Sequence, residues 1–357
     1  MITPRVTLSQ IAIRAGVHVT TVSLALRDSP RLPLATRERI QAMAKEMNYR
    51  PDPMLSSLVA YGAGRRKPAY QATIALLNSF PNPEDMVAIP CYRNYREGVL
   101  KRAESLGYKI EEVKMGNISA KPDALKRQLL ARGITSIIIF PLPRSATLLP
   151  GFDWDEFSVV TLGYSLQEPQ FNRITNHQFR TMLLLFRELR RLGYRRIGLC
   201  LDEVYNMRIN MGLSSAYTAY NESIPVGDQV PVHRLSDGIG QQAIMKWVGL
   251  NKPEVIVGLD EGLFSWVRDS GMRIPQDIGL ASIHVSAGDL HSSGMSQNDS
   301  LIGSMAVDSL VAMIHRNERG CPQHPQHVLI DGTWQQGQTV ARVGQEQPWL
   351  LNLPAMA

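Results

Sequence analysis

Apolar positions recur at helical spacing near the start of the chain: Leu8, Ile11, Ala12 and Ala15 fall on one face. Thr7, followed three residues later by Gln10, is the pattern of a capping box, in which each side chain satisfies a backbone N–H left open by the first turn. Gly16 suits the left-handed residue that ends such a helix. A second short helix is predicted over 19–26, with Val22, Ala25 and Leu26 as its apolar face. Arg31-Leu32-Pro33 breaks the pattern, and a third helix follows over 35–47, striped by Ile40, Met43, Ala44 and Met47. Three short helices with an Ala15-Gly16-Val17 turn between the first two make a helix-turn-helix unit. The second helix of such a unit enters the major groove and sets its N-terminal side chains against base edges. A three-helix bundle of any purpose shows the same periodicity, so spacing alone leaves the partner open.

Beyond residue 50 the pattern changes twice. Asp52 can cap a helix and Pro53 suits its first position, which predicts a helix of about two turns, marginal in isolation. Gly62, Gly64 and the run Arg65-Arg66-Lys67-Pro68 read as a basic linker. From Ala72 apolar strands alternate with amphipathic helices: strands are predicted at 73–78, 109–113, 136–140, 159–162, 196–201, 255–259 and 280–283, and helices at 93–106, 122–132, 177–192, 239–249, 261–270 and 300–316. That alternation means parallel, doubly wound sheets. Leu106-Gly107-Tyr108 and Leu192-Gly193-Tyr194 each close a helix and open a strand, an internal echo that points to two similar lobes. The chain is expected to cross between them near 173–176, near 284–299, and again after the helix at 300–316, before closing strands at about 328–330.

Charge sharpens this division. Residues 1–67 hold eleven Lys/Arg against four acids, a balance of +7 in a chain of net charge +6, so everything after them is close to neutral. A basic head on a neutral body is the signature of a polyanion-binding module whose affinity comes largely from counterion release. The three cysteines, Cys91, Cys200 and Cys321, are too scattered for a disulfide framework or a cysteine-only zinc site. No apolar run reaches the roughly 20 residues a membrane helix needs, and the N-terminal MITPRVTLSQ lacks the apolar core of a signal peptide, so a cytoplasmic protein is expected. No Walker loop, Gly-x-Ser-x-Gly elbow or His-Glu-x-x-His pattern occurs, and His324 and His327 sit among prolines, where a loop is expected rather than a metal site. Neither an enzyme nor a cofactor is expected.

The residues themselves carry a resemblance. Thr7-Leu8-Ser9-Gln10-Ile11-Ala12, Ala15-Gly16-Val17, Thr21-Val22-Ser23, Thr36-Arg37-Glu38-Arg39-Ile40 and Met47-Asn48-Tyr49-Arg50-Pro51 closely resemble the head of the lactose-repressor/galactose-repressor family, without a gap through about residue 60. The resemblance implies that Val19, Thr20 and Leu24 read bases and that Thr21 and Ser23 hold backbone phosphates. Thr7, His18, Arg27, Asn48, Tyr49 and Leu55 complete the candidate DNA contacts, with Leu58 as the apolar wedge that a paired hinge helix presses into the minor groove. His18 stands where the family has a capping Ser, and Leu24 where many members carry a long polar reader. Base contacts here are therefore expected to be short and apolar, suited to a thymine methyl.

The same resemblance implies an all-α head (1–50), a hinge helix and linker (51–71), a two-lobed periplasmic-binding-protein-like α/β effector and dimerisation domain (72–342), and a short tail (343–357). Ligands in such folds sit at the carboxyl ends of strands, between the lobes. The candidates are Asn78, Phe80, Asn176, Arg208, Asn210, Asp260 and His284, with Tyr95 on the first lobe; Tyr92 and Tyr95 could equally be packing residues. Arg208 occupies the place of an Arg that holds effector hydroxyls or carboxylates. Where sugar-binding relatives carry an acid pair, this chain reads Ser282-Ile283-His284-Val285-Ser286, so the usual clamp on sugar hydroxyls is absent. The expected function is that of a homodimeric transcriptional repressor on an operator in double-stranded DNA, controlled by a small molecule, a carbohydrate or a derivative of one. The competing reading is a constitutive dimeric DNA-binding protein that senses nothing.

Overall fold

A computed structural model describes residues 6–26, 32–47, 49, 70–80, 82–115, 122–143, 147–149, 151–237, 240–259 and 261–347. The chain divides into two compact units, Met1–Ala69 and Tyr70–Ala357.

In the first unit, α1 (Leu8–Ala15), α2 (Val19–Leu26) and α3 (Leu34–Glu46) pack around Ile11, Val22, Ala25 and Ile40, each fully buried. The capping box forms: Gln10 N–H donates to Thr7 Oγ1 at 3.4 Å, and Thr7 N–H donates to Gln10 Oε1 at 2.8 Å. Gly16 closes α1 at φ 65°, in the left-handed region that the sharp turn into α2 requires. Gln41 Nε2 donates to the Ala25 carbonyl at 2.9 Å and so ties α3 to the end of α2.

The second unit begins with β1 (Thr73–Asn78), followed by α4 (Pro83–Ala88), α5 (Pro90–Ser105), β2 (Lys109–Lys114), α6 (Pro122–Ala131), β3 (Ser136–Ile139), β4 (Thr147–Leu148), β5 (Ser158–Leu162), β6 (Leu166–Glu168) and β7 (Asn172–Asn176). The chain then passes to a second lobe: α7 (Gln178–Arg191), β8 (Ile197–Leu201), α8 (Glu203–Arg208), α9 (Gly212–Glu222), β9 (His233–Arg234), α10 (Gln241–Asn251), β10 (Val255–Gly258), α11 (Glu261–Asp269), β11 (Gly279–Ser282) and β12 (Ser293–Ser296). It returns through α12 (Asp299–Arg316) and β13 (His327–Ile330), and ends its ordered elements with β14 (Thr333–Gln335). The first sheet runs β13-β7-β5-β3-β1-β2 and the second β14-β12-β11-β10-β8-β9. Every pairing within them is parallel except β12 with β14. Both central strand sets are buried on both faces, which is why they read as continuous apolar runs such as Ser136–Ile139 and Val255–Gly258. No helix among the described residues is long and apolar enough to cross a membrane.

Three crossings join the lobes, and one lies elsewhere than expected. The first follows β7 at His177, and the second follows β12 at 297–298. The third was expected before the strand at 328–330. That strand instead pairs with β7 in register His327↔Arg173 and completes the first sheet, so the crossing comes after it, at Asp331-Gly332.

The first lobe is held by α12 lying across α5. Ile302, Ala306, Val307 and Leu310 on α12 are fully buried in its core, with Val99 and Ala103 of α5. Two glycines allow this approach: a side-chain carbon on Gly98 would run into the Ser300 carbonyl, and one on Gly303 into the Tyr95 carbonyl. At the far end Arg102 Nε donates to Asp308 Oδ1 at 2.7 Å. Gly303→Ala is therefore expected to force the helices apart and to destabilise the second unit by roughly 1–3 kcal/mol, the usual cost of overpacking. Urea unfolding of the purified protein checks this; a midpoint equal to that of the parent would mean the helices are not in backbone contact.

Candidate functional site

The first unit presents the outer surface of α2. Its inner face buries Val22 and Ala25, which leaves His18 and Thr20 exposed and Thr21, Ser23 and Leu24 half-buried. His18 takes over the missing serine's task. Its Nδ1 accepts the Thr20 N–H at 3.4 Å and lies 2.7 Å from Thr20 Oγ1. An accepting Nδ1 fixes the neutral tautomer with its proton on Nε2, so the ring caps the helix and keeps a donor for an anion. Val19 and Tyr49 are less available than expected: both pack against the small core, and Tyr49 N–H bonds the Ala44 carbonyl at 3.0 Å. Thr7 is exposed but engaged in its capping box. Arg27, Asn48, Leu55 and Leu58 lie outside the described residues.

The second unit contains a cleft of about 430 Å³ at the carboxyl ends of the strands of both sheets. Of the predicted residues, Tyr95, Asn176, Arg208 and His284 line it. Asn78 and Phe80 do not: Asn78 is buried at the end of β1, and Phe80 supports the wall from behind, edge-on to Tyr92 with ring centres 5.8 Å apart. Asn210 is exposed at φ 55° just past α8, where it turns the chain toward α9. Asp260 lies outside the described residues.

Arg208 joins the two walls. From the end of α8 its Nη2 donates to Tyr92 Oη and to the Leu142 carbonyl, each at 2.6 Å, and its Nη1 donates to the Pro143 carbonyl at 3.1 Å. Tyr92 and both carbonyls belong to the first lobe, so one guanidinium fastens the second lobe onto three acceptors of the first. Deeper in, Tyr95 Oη donates to Asn176 Oδ1 at 2.8 Å, and Asn176 Nδ2 donates to the Gln297 carbonyl at 3.2 Å. This chain runs through the first two crossings. His284 Nε2 lies 2.9 Å from Asp299 Oδ2, which links the strand end of one lobe to the first turn of α12.

Some of the lining was missed from the sequence. Gln178 and Tyr205 sit at the starts of helices, and Tyr164 follows β5, places with no periodic signal of their own. Acid, absent from the strand end at 283, returns from two other elements: Asp289 in the following loop lines the cleft, and Asp299 backs His284. The Ser292 hydroxyl, bonding Asp289, holds that carboxyl below the usual range and so keeps it ionised, despite partial burial. Burial pushes the phenols of Tyr92, Tyr95, Tyr164 and Tyr205 above their ordinary range, so all four remain protonated donors. Burial, with the charge of Asp299, pushes the Cys91 thiol up to about 12, which removes it as a nucleophile at neutral pH. Among the described residues no cluster of His, Cys, Asp or Glu could hold a metal ion.

Residues 7–52 match the model of the bacterial regulatory proteins of the lacI family, and the match covers the capping box, the turn and all three head helices. The chain belongs to the lacI family. It is 24% identical over 283 residues to the lactose operon repressor of Escherichia coli strain K12, which spans 77% of this chain and 74% of that protein. The fold of this lacI-family chain is shared with a lac repressor dimer bound to operator and the anti-inducer ONPF (TM-score 0.53, 18% identity, 95% of this chain and 100% of that one). It is shared equally with the transcriptional regulator CelR in complex with cellobiose (TM-score 0.53, 17% identity, 94% and 100%).

Arg208→Ala should release the cleft. Each hydrogen bond from a charged donor contributes about 1.5–3 kcal/mol where partly buried. The variant is expected to melt at a lower temperature and to show a larger radius of gyration in small-angle scattering. A variant with the parent's scattering curve and melting point would mean that Arg208 does not hold the lobes together.

Proposed function

We propose that the protein is a sequence-specific, DNA-binding repressor of transcription that acts as a homodimer, and that a small molecule bound between the lobes of its second unit sets its affinity for an operator. The observation that carries this reading is the joining, in one chain, of a family-matched helix-turn-helix head to a two-lobed α/β body with a cleft at its strand ends. The lac repressor relative is a dimer on its operator with an anti-inducer bound, and CelR holds cellobiose. By likeness, the effector here is a carbohydrate or a derivative of one. The matched family is one of regulatory proteins, so the cleft is a sensor and not an active site. A protein that works on chromosomal DNA belongs in the cytoplasm.

The head's part follows from its chemistry. Thr20 and Leu24 on α2 meet base edges, while Thr21, Ser23 and the Nε2–H of His18 meet phosphates, which fix register without reading sequence. Residues 51–71 form the hinge, where Leu55 and Leu58 supply apolar contacts to the minor groove. An effector changes operator affinity only through unequal affinity for two arrangements of the lobes.

One observation favours the second reading, a constitutive DNA-binding dimer: Arg208 already fastens the lobes with no ligand needed. The two readings separate by experiment. Footprinting on genomic DNA locates the operator, and thermal melting against candidate metabolites from the neighbouring genes shows whether anything stabilises the body. A sensor gains stability with its ligand; a constitutive protein gains none from any compound.

Two quantitative outcomes are expected. Operator affinity should fall roughly a hundredfold or more between about 50 and 200 mM salt, as the positive balance of the head demands; a flat log–log plot would contradict a phosphate-driven head. Leu58→Ala should leave melting and non-specific binding unchanged while reducing operator affinity and DNA bending together in a bending-sensitive gel shift. A lowered melting temperature with unchanged bending would make Leu58 a packing residue.

A further inference from the structure

The cleft is chemically two-sided. The first lobe and the start of α8 contribute Ile89, Pro90, Tyr92, Tyr95, Tyr164 and Tyr205, an apolar and largely aromatic wall. The hydroxyls of Tyr92 and Tyr95 are already bonded, to Arg208 and Asn176, so these two offer rings rather than polar groups to a ligand. Tyr92 and Tyr95 lie with ring centres 6.1 Å apart and planes inclined by 33°, each also edge-on to Phe140, which fixes their positions. The second lobe carries the polar lining. Ser282, His284, Ser286, Asp289 and Ser292 come from one strand end and the loop after it, and Gln178 comes from the head of α7.

Two features of the polar side specify what it accepts. Gln178 is 5% exposed, and its Oε1 is buried without a hydrogen-bond partner. A buried acceptor of this kind is costly unless something donates to it. Asp289 is held ionised beside it in the lining and is also an acceptor. The polar end therefore calls for O–H or N–H donors. Arg208, the one guanidinium in the lining, is engaged by three protein acceptors, so no uncommitted guanidinium waits for a phosphate or carboxylate.

We infer that the cleft takes a neutral, hydroxylated molecule carrying a flat apolar substituent: a sugar joined to an aromatic group, with its hydroxyls on Gln178 and Asp289 and its ring against Tyr92 and Tyr164. This deepens the sensor reading above and rests on it. Aryl glycosides and nucleosides share this chemistry. A volume of about 430 Å³ gives room for the second ring, since clefts of roughly 300–1,000 Å³ bury ligands of that larger kind. Offset stacking on fixed rings gives such a substituent affinity that a sugar alone cannot collect.

The test is calorimetric titration of the full-length protein with four probe sets: 4-nitrophenyl glycosides of common hexoses, the methyl glycosides of the same hexoses, nucleosides, and hexose 6-phosphates. At least one aryl glycoside or nucleoside should bind tenfold or more tightly than any methyl glycoside, with a more negative heat-capacity change. Which of the two aromatic sets binds identifies the source. Tyr164→Ala should erase the advantage of the aryl over the methyl compound, whereas Gln178→Met should weaken both alike; melting curves of the two variants verify folding. Methyl glycosides that match the aryl compounds, or hexose phosphates that exceed them, overturn the inference. So does binding confined to a metabolite outside these sets, which would leave the sensor reading intact. If no compound at all stabilises or binds the protein, the sensor reading itself fails.

Discussion

The backbone-to-backbone contact of α5 with α12 is the constraint on which the cleft depends. Gly98 beneath Ser300 and Gly303 beneath Tyr95 leave no side chain between the two helices where they are closest. The first turns of α5 carry Cys91, Tyr92 and Tyr95, and the first residue of α12 is Asp299, the partner of His284. One close-packed pair therefore sets both the aromatic wall of the first lobe and the acid that reaches across to the second. Interiors packed at this density transmit displacement instead of absorbing it. A shift of α12 along α5 moves Asp299, and with it the strand end that bears His284.

Across the mouth, Arg208 works at the opposite end from that floor. Tyr92 Oη and the carbonyls of Leu142 and Pro143 are acceptors that the first lobe turns toward the second, and a planar guanidinium suits several acceptors at once. The floor is covalent, made of crossings, while the mouth is held by hydrogen bonds alone. Motion is consequently concentrated at the mouth, which is where a ligand has to enter. The head is built on a different economy of contacts: seven buried side chains in all, mostly alanine and isoleucine, so its caps at Thr7, Gly16 and His18 matter more than they would in a larger domain.

How far the sequence discloses this molecule varies with the physical cause of each element. The head was legible almost to the residue, because Thr7, Gln10 and Gly16 are local signals whose effect does not depend on anything distant. The buried parallel strands were legible as apolar runs. Helix α9 was not: its stretch Gly212–Glu222 is rich in Gly, Ser, Thr and Tyr, residues of middling or poor helix propensity, and it forms because Leu213, Ala216, Tyr217 and Tyr220 fill the core of the second lobe. Strands β12 and β14 are short and hold serine and glycine, and their pairing is decided by partners far along the chain. Half of the cleft candidates were correctly placed by the rule of strand ends; Asn78, Phe80 and Asn210 satisfy that rule in sequence yet lie behind or outside the cavity. Arg208 was foreseen as a ligand contact, and its bonds to the opposite lobe depend on a fold that no local pattern encodes.

The order of the crossings makes the lobes inseparable. The first lobe consists of residues 70–176 together with α12 and β13, and the second of residues 178–296 together with β14. A chain that stops anywhere before Asp299 lacks the helix that spans the first sheet and the strand that finishes it, even though the second lobe's central strands have all been made. During synthesis the earlier lobe must therefore wait, with the apolar surface that α12 will cover still open, until the later lobe has emerged. Exchange of effector specificity between relatives faces the same geometry: to replace one wall of the cleft is to replace three separate segments of the gene at once.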